Sequence, residues 1–205
     1  LGDVYKRQGV LVSGRGSNLQ SLLDHIASGE LPAEVAVVIS DQGEALALQR
    51  AAKAHIPAVV VERKACKDKT EFESKIDDAL REAGAELVVL AGFMRILSGF
   101  FIRRWEHKII NIHPALLPSF TGLDAQGQAV DYGVKISGCT VHFVDEGTDT
   151  GPIILQKAVP VLDEDTEESL AARILEQEHK ALPEAVKLWA EGKLSVAGRH
   201  VKIAK

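Results

Sequence analysis

Three short segments carry residues whose types and spacing can do chemistry. The first is Asn111-Ile112-His113-Pro114. Side chains alternate along a strand, so Asn111 and His113 project to one side if this segment is extended. An amide and an imidazole pointing together can polarise one carbonyl and shuttle one proton. A lone histidine is more often structural than catalytic. The neighbouring Asn, the strand-end position and the proline-fixed turn that follows favour the catalytic role. The second segment is the glycine-bounded acidic loop Asp145-Glu146-Gly147-Thr148-Asp149-Thr150-Gly151-Pro152. A carboxylate brought from it to His113 would favour the imidazolium, which suits a group cycling as acid and base. For Asp145 and Glu146 a solvated turn is the expected role.

The third segment is Ser13-Gly14-Arg15-Gly16-Ser17-Asn18, leading into a helical stretch. Glycines let backbone amides approach a ligand, and a helix N-terminus favours an anion, so this loop should hold a phosphate. Leu19 stands where a dinucleotide fingerprint needs its third glycine, and no Gly-Lys-Ser/Thr of a Walker loop follows. A small phosphomonoester fits better; a tight turn capped by Ser17 or Asn18 would carry the same residues. His142 lies in an alternating run and reads as a packed or hydrogen-bonded residue. His25, His55, His107 and His200 have no arguable partner. Cys66 and Cys139 lack metal-ligand spacing and read as reduced thiols.

These segments need elements to position them. Short β-branched or leucine-rich runs recur at 10–12, 35–39, 58–61, 87–90 and 109–112. Amphipathic stretches lie between them at 19–27, 44–54, 70–83 and 97–105. In the third, Phe72, Ile76, Ala79, Leu80 and Ala83 fall on one helical face. Apolar strands alternating with helices predict an α/β fold, a doubly wound, mostly parallel and Rossmann-like sheet in a single domain. Ligands of such sheets bind beyond the carboxyl ends of the strands, where all three segments fall. Runs at 135–145 and 152–161 predict an antiparallel pair or a meandering edge. The last helix should open on a capping box at Asp165-Thr166-Glu167-Glu168, kink or restart at Pro183 and stop at Gly192.

Composition narrows the function classes. With 24 Lys+Arg against 29 Asp+Glu the net charge is -5, so nothing steers the chain to a polyanion and a nucleic-acid partner is not expected. No apolar run approaches the roughly 20 residues of a membrane span. Two cysteines are too few for a secreted disulfide framework, which points to the cytoplasm. Residues 1–8 have no initiator Met and no apolar run of a signal peptide. Asp3 to Gln8 back-translate as GAT GTG TAT AAG AGA CAG, a transposon end used in sequencing-library preparation. They are therefore expected to be a non-native extension, a natural one being the alternative. The organisation expected is extension 1–8, one catalytic domain over 9–192, and a tail over 193–205.

Five stretches in order carry a resemblance over nearly the whole chain. They are Ser13-Gly-Arg-Gly-Ser-Asn-Leu-Gln20, Leu90-Ala-Gly-Phe-Met-Arg-Ile-Leu-Ser98, Asn111-Ile-His-Pro-Ala-Leu-Leu-Pro118, Gly138-Cys-Thr-Val-His-Phe-Val-Asp145 and Asp149-Thr-Gly-Pro-Ile-Ile-Leu-Gln156. Residues 9–192 thereby resemble the phosphoribosylglycinamide formyltransferases, folate-dependent enzymes of purine synthesis. The resemblance implies transfer of a formyl group from the co-substrate 10-formyltetrahydrofolate to the glycinamide amine, without a metal, by a monomer or homodimer acting on small molecules. It implies His113 as general acid/base, Asn111 as oxyanion binder and Asp149 as the partner of His113. It implies Gly16, Ser17, Asn18 and Glu178 as contacts of the phosphoribosyl substrate. Lys69, Met94, Arg95, Ile96, Leu97, Asn111, Asp145, Glu146, Gly147 and Thr148 are implied on the folate side, 94–97 and 145–149 through their backbones.

Two positions depart from the family pattern. Asp124 stands where many members carry His, and Lys69 where some carry Arg, which keeps the charge without the planar fork. The tRNA-directed relatives usually have Arg-Gly-Ala-Ala-Pro after Leu-Leu-Pro and a C-terminal nucleic-acid domain; here Phe120-Thr-Gly-Leu-Asp-Ala125 follows. The formyl-folate hydrolases carry a further N-terminal domain. A non-catalytic phosphate binder would need only the glycine-rich loop, not Asn111, His113 and Asp149 together.

Overall fold

In a computed structural model, described over residues 5–205, the chain packs as two compact units that divide between Ile110 and Asn111. In the first, β1 (Lys6–Val12) lies between β2 (Ala33–Ser40) and β4 (Leu87–Leu90), with β3 (Ala58–Val60) outside β2. All four strands are parallel. Val10, Leu11, Val12, Val38, Ile39 and Val88 are wholly buried, as expected of strands covered on both faces. The helices are α1 (Ser17–Ala27), α2 (Leu46–Lys53), α3 (Lys69–Glu82) and α4 (Gly99–Arg104). In α3 the stripe Phe72, Ile76, Leu80 is buried, and Asp68 caps the first turn by accepting from the Glu71 N–H at 2.8 Å.

The apolar run of the first strand begins at Val10; the structure starts the strand at Lys6. Residues 1–4 of the expected extension lie outside the described residues. Lys6, Arg7 and Gln8 pair with Ala33, Glu34 and Val35 of β2. Polar contacts replace the missing apolar pattern: Arg7 donates from Nη1 to Glu34 at 3.0 Å and from its backbone N–H to Glu86 at 2.9 Å. The helix expected from Leu97 begins at Gly99, because Ser98 is its cap, accepting from the Phe101 N–H at 3.3 Å.

The strand β5 (Ile109–His113) starts in the first unit and ends in the second. In the second, β6 (Ile136–Phe143) and β7 (Ile153–Pro160) form the antiparallel pair, its register shifting between Val141 and His142. Ahead of it lies α5 (Ala125–Tyr132), which the sequence reading does not anticipate. Next comes α6 (Glu167–Ala190), packed on β6 and β7. Thr166 caps it with Ser169 as the reciprocal partner, not Asp165 with Glu168; Asp165 instead pairs with Arg173 at 2.7 Å. The helix also runs through Pro183 without a restart, because Ala181, Leu182, Ala185 and Val186 are wholly buried around it. Tertiary packing there outweighs the lost hydrogen bond. The tail is a hairpin, β8 (Leu194–Ala197) and β9 (His200–Ile203), whose second strand joins β7 in parallel.

Candidate active site

At the end of β5 the His113 side chain is buried, with 5% of its surface exposed. Its Nε2 lies 2.8 Å from the Phe120 carbonyl oxygen. A carbonyl can only accept, so Nε2 carries a hydrogen and Nδ1 is the nitrogen that gains or loses a proton. Nδ1 faces Asp149 Oδ2 at 3.6 Å. The same Oδ2 accepts the Gly122 N–H at 2.8 Å. Residues 120–122 are thus clasped at both ends by the His–Asp pair. Phe120 and Asp149 both have left-handed backbones, with φ of 51° and 54°. Aspartate tolerates that region; for a bulky Phe it costs on the order of 1–3 kcal/mol, and the His113 bond to its carbonyl helps hold it there.

Asn111 is oriented by His142, which the sequence reads as a packed or hydrogen-bonded residue. Its Nδ2 lies 3.4 Å from His142 Nε2, and His142 Nδ1 lies 2.9 Å from the Phe143 carbonyl oxygen. The carbonyl requires a hydrogen on Nδ1, so neutral Nε2 is an acceptor and Asn111 must turn its NH2 toward it. One N–H of the amide is committed to His142 and the other is directed away from it. Burial pushes the His142 imidazole below its ordinary pKa, against the Phe143 carbonyl and the Asp149 charge, which pull the other way. It therefore remains the neutral acceptor that this orientation needs. The register shift beside it is the kind of bulge that re-aims a side chain.

The loop between β6 and β7 is closed on itself. Asp145 accepts from the Gly147 N–H at 3.0 Å and the Thr150 hydroxyl at 2.6 Å. Arg199, in the tail hairpin, donates to the Thr150 carbonyl at 2.8 Å. Glu146 and Thr148 belong to the same turn. Glu178 sits in the buried stripe Leu170, Ile174, Glu178, Leu182, Val186 of α6, a carboxylate at an apolar spacing. Burial, with the Glu178 charge adding to it, pushes the Cys139 thiol up to about 12. Asp124, the departure from the family pattern, caps α5 by accepting from the Gly127 N–H at 3.1 Å.

In the first unit, α1 has Gly16 at its N-cap, with φ 75° and no side-chain cap. The alternative of a turn capped by Ser17 or Asn18 is thus not what forms. A Cβ on Gly16 would come within 2.8 Å of the Ala47 Cα, so only glycine lets α2 approach this closely. After β4 come Met94 and Ile96, 67% and 75% exposed, with Leu97 buried between them and α4. Arg95 is half-buried and held to the body of the unit, its Nε donating to Asp41 at 2.7 Å. Lys69 opens α3 and lines a groove of about 620 Å³ with Glu73, Ser98, Phe100, Phe101 and Arg104.

The structure therefore brings Asn111, His113 and Asp149 together in the second unit, with the 145–148 turn on the same loop as Asp149. In the first it places Gly16, Ser17 and Asn18 at one strand end and Met94 to Leu97 at another. Asp41, Phe120 and Arg199 are missed by the sequence reading, whereas His142 is the packed, hydrogen-bonded residue it expects. Only Asp41 had a usable signal, a carboxylate directly after a buried strand. Among the described residues no group of three or more His, Cys, Asp or Glu could hold a metal ion. No helix among them is long and apolar enough to cross a membrane.

In the second unit a buried histidine thus stands between a half-buried aspartate and an amide at a strand end. The chain belongs to the formyl transferase family, whose profile matches residues 6–186. It is 43% identical over 189 residues to the phosphoribosylglycinamide formyltransferase of Haemophilus influenzae, covering 92% of this chain and 89% of that one. It is 49% identical over 186 residues to the trifunctional purine biosynthetic protein adenosine-3 of Bos taurus, covering 91% of this chain but only 18% of that protein. The chain thus spans less than a fifth of the trifunctional relative. The solved structure of glycinamide ribonucleotide transformylase 1 from Symbiobacterium toebii matches with a TM-score of 0.96 at 49% identity, covering 98% of this chain and 95% of that one. The expected fold class, a single-domain α/β fold with a mostly parallel central sheet, holds.

Proposed function

We propose that this chain transfers the formyl group of 10-formyltetrahydrofolate to the amine of 5'-phosphoribosylglycinamide, giving the formylated nucleotide and tetrahydrofolate. One observation carries the reading beyond family membership: His113 has Nε2–H committed to a carbonyl and Nδ1 facing Asp149. Such a histidine can exchange one proton only, at Nδ1, next to a carboxylate that stabilises the protonated form.

The amine nitrogen attacks the formyl carbon, a C–N bond forms, and the carbonyl electrons move onto oxygen. The Asn111 N–H that does not face His142 donates to that oxyanion; a donor of this kind is worth about 10²–10³ in kcat. His113 Nδ1 takes the proton the amine must lose, with Asp149 balancing the charge. The same proton goes to the folate nitrogen as the second C–N bond breaks. No net charge or proton is left on the protein. Gly16, Ser17 and Asn18 bind the substrate phosphate through backbone N–H groups at the start of α1, and Glu178 contacts the ribose portion. Lys69, the 94–97 backbone around Arg95 and the 145–148 turn hold the folate. Both substrates are small molecules, and the cytoplasm is where the reaction runs.

The test mixes the protein with glycinamide ribonucleotide and 10-formyltetrahydrofolate and follows folate deformylation by absorbance. Deformylation that depends on the nucleotide, one formylated nucleotide per folate, is expected. Formate release without the nucleotide overturns the reading in favour of hydrolysis.

A further inference from the structure

We propose that Asp41 is a positioning residue that fixes the folate-binding backbone at 94–97 to the phosphate loop, through Ser13 on one side and Arg95 on the other. The inference rests on the folate reading above and names a residue that reading does not use. Asp41 follows β2 directly and is 4% exposed. Its Oδ1 accepts the Ser13 hydroxyl at 2.6 Å and its Oδ2 accepts Arg95 Nε–H at 2.7 Å. Both lengths belong to strong, charge-assisted bonds.

The consequence lies in what Ser13 is then able to do. A hydroxyl has one hydrogen. With that hydrogen given to Asp41, its lone pairs face elsewhere, and the Met94 N–H donates to Ser13 Oγ at 2.9 Å. Ser13 also donates its backbone N–H to the Gly92 carbonyl at 3.1 Å. The segment after β4 is therefore held at 92 and 94 by Ser13 and at 95 by Asp41. The Arg95 guanidinium, drawn inward, lies 5.9 Å from the centre of the Phe72 ring. Backbone recognition of a flat heterocycle needs amides that do not move. Here the backbone is fixed while Met94 and Ile96 remain largely exposed.

Asn at position 41 can accept through only one atom. Its NH2 would face either the Ser13 hydroxyl or Arg95 Nε–H, donor against donor. If Ser13 turns its hydrogen away to accept from that NH2, the charge-assisted bond that held its hydroxyl in place for Met94 is lost. Asp41→Asn thus unfastens the folate segment at nearly constant volume.

The experiment measures binding of tetrahydrofolate to the full chain by titration calorimetry, alongside KM for both substrates, kcat and thermal melting. Asp41→Asn is expected to weaken tetrahydrofolate binding and raise KM for the formyl-folate about tenfold or more, with kcat at saturation within about threefold. Ser13→Ala should do the same, and Ser13→Thr, which keeps the hydroxyl, should recover most of the lost affinity. Wild-type affinity in Asp41→Asn overturns the inference. So does a lowered melting temperature with an unchanged folate affinity, and so does a Ser13→Thr as weak as Ser13→Ala. If the wild-type chain itself neither binds tetrahydrofolate nor turns over, the functional reading fails, and this inference with it.

Discussion

Two aspartates, one at a strand end of the first unit and one in a loop of the second, are put to opposite uses. Asp41, in the first, has both oxygens filled by short bonds from Ser13 and Arg95. Asp149, in the second, accepts one backbone N–H from Gly122 and stands 3.6 Å from His113 Nδ1. A carboxylate whose acceptors are satisfied by permanent donors is a strut, because nothing in a reaction cycle changes its environment. One that waits for a hydrogen on a neighbouring imidazole responds when the proton arrives. Its attraction, in a buried setting, is strong only in that state. Both aspartates lie in or beside glycine-containing loops; the partners separate their roles.

The contrast breaks first at His113. His113→Ala should lower turnover by about 10²–10⁴, the range for a positioned acid/base. Asp149→Asn keeps an oxygen for Gly122 and removes only the charge. It should therefore cost less, about tenfold to hundredfold in kcat, or roughly 1.4–2.7 kcal/mol of transition-state stabilisation. Steady-state kinetics and thermal melting on both variants check this. Wild-type turnover in Asp149→Asn would make Asp149 a second strut and remove the distinction.

How far these roles could be read beforehand differs by region. Strands and helices of the first unit follow from their apolar periods, and Asn111 and His113 from alternation at a strand end. Helix α5 escaped because its buried residues, Ala125, Gly127 and Ala129, are too small to make an apolar stripe. Pro183 misled because local propensity gave way to a buried surround. The partner of His113 that fixes its tautomer is a backbone carbonyl seven residues on, and no side-chain pattern encodes that. Similarly, what makes His142 matter is a one-residue register shift in a hairpin. A carboxylate of the 145–152 loop serving His113 is legible from residue types, but its assignment to Asp149 comes from the family resemblance, since the fold brings the two together.

A third buried polar residue sharpens the scale from the other end. Gln8, wholly buried in β1 between Val35 of β2 and Leu87 of β4, has neither its Oε1 nor its Nε2 hydrogen-bonded among the described residues. Asp41 is fully satisfied, Asp149 partly, and Gln8 not at all. A buried amide without partners costs about 1–3 kcal/mol. Gln8→Leu, of similar volume, should raise unfolding stability by about that amount and leave kcat unchanged. Urea midpoints at constant m-value measure it. A loss of stability would mean that the amide has partners in solution.

The smallest effect is expected at His142, and it tests whether a neutral histidine can act as a strut as Asp41 does. His142→Phe removes the acceptor for Asn111 and should lower kcat about five- to tenfold, the equivalent of roughly 1 kcal/mol for one hydrogen bond. KM should be little affected, because the oxyanion exists only in the transition state. A pH signature accompanies it. Burial lowers the pKa of His142 below the ordinary 6.5, so below about pH 6.5 the unfolded chain takes up a proton the folded one refuses. The unfolded state then binds more protons, and stability must fall as pH falls from 6.5 toward the folded value. Above that window the contribution is constant. Phe at 142 has no proton to bind, so the fall in urea midpoint between pH 7 and pH 5 should be shallower in the variant than in the wild type. An equal slope in both proteins would mean that His142 titrates as it does in the unfolded chain, and the neutral acceptor assigned to Asn111 would be lost over the same range.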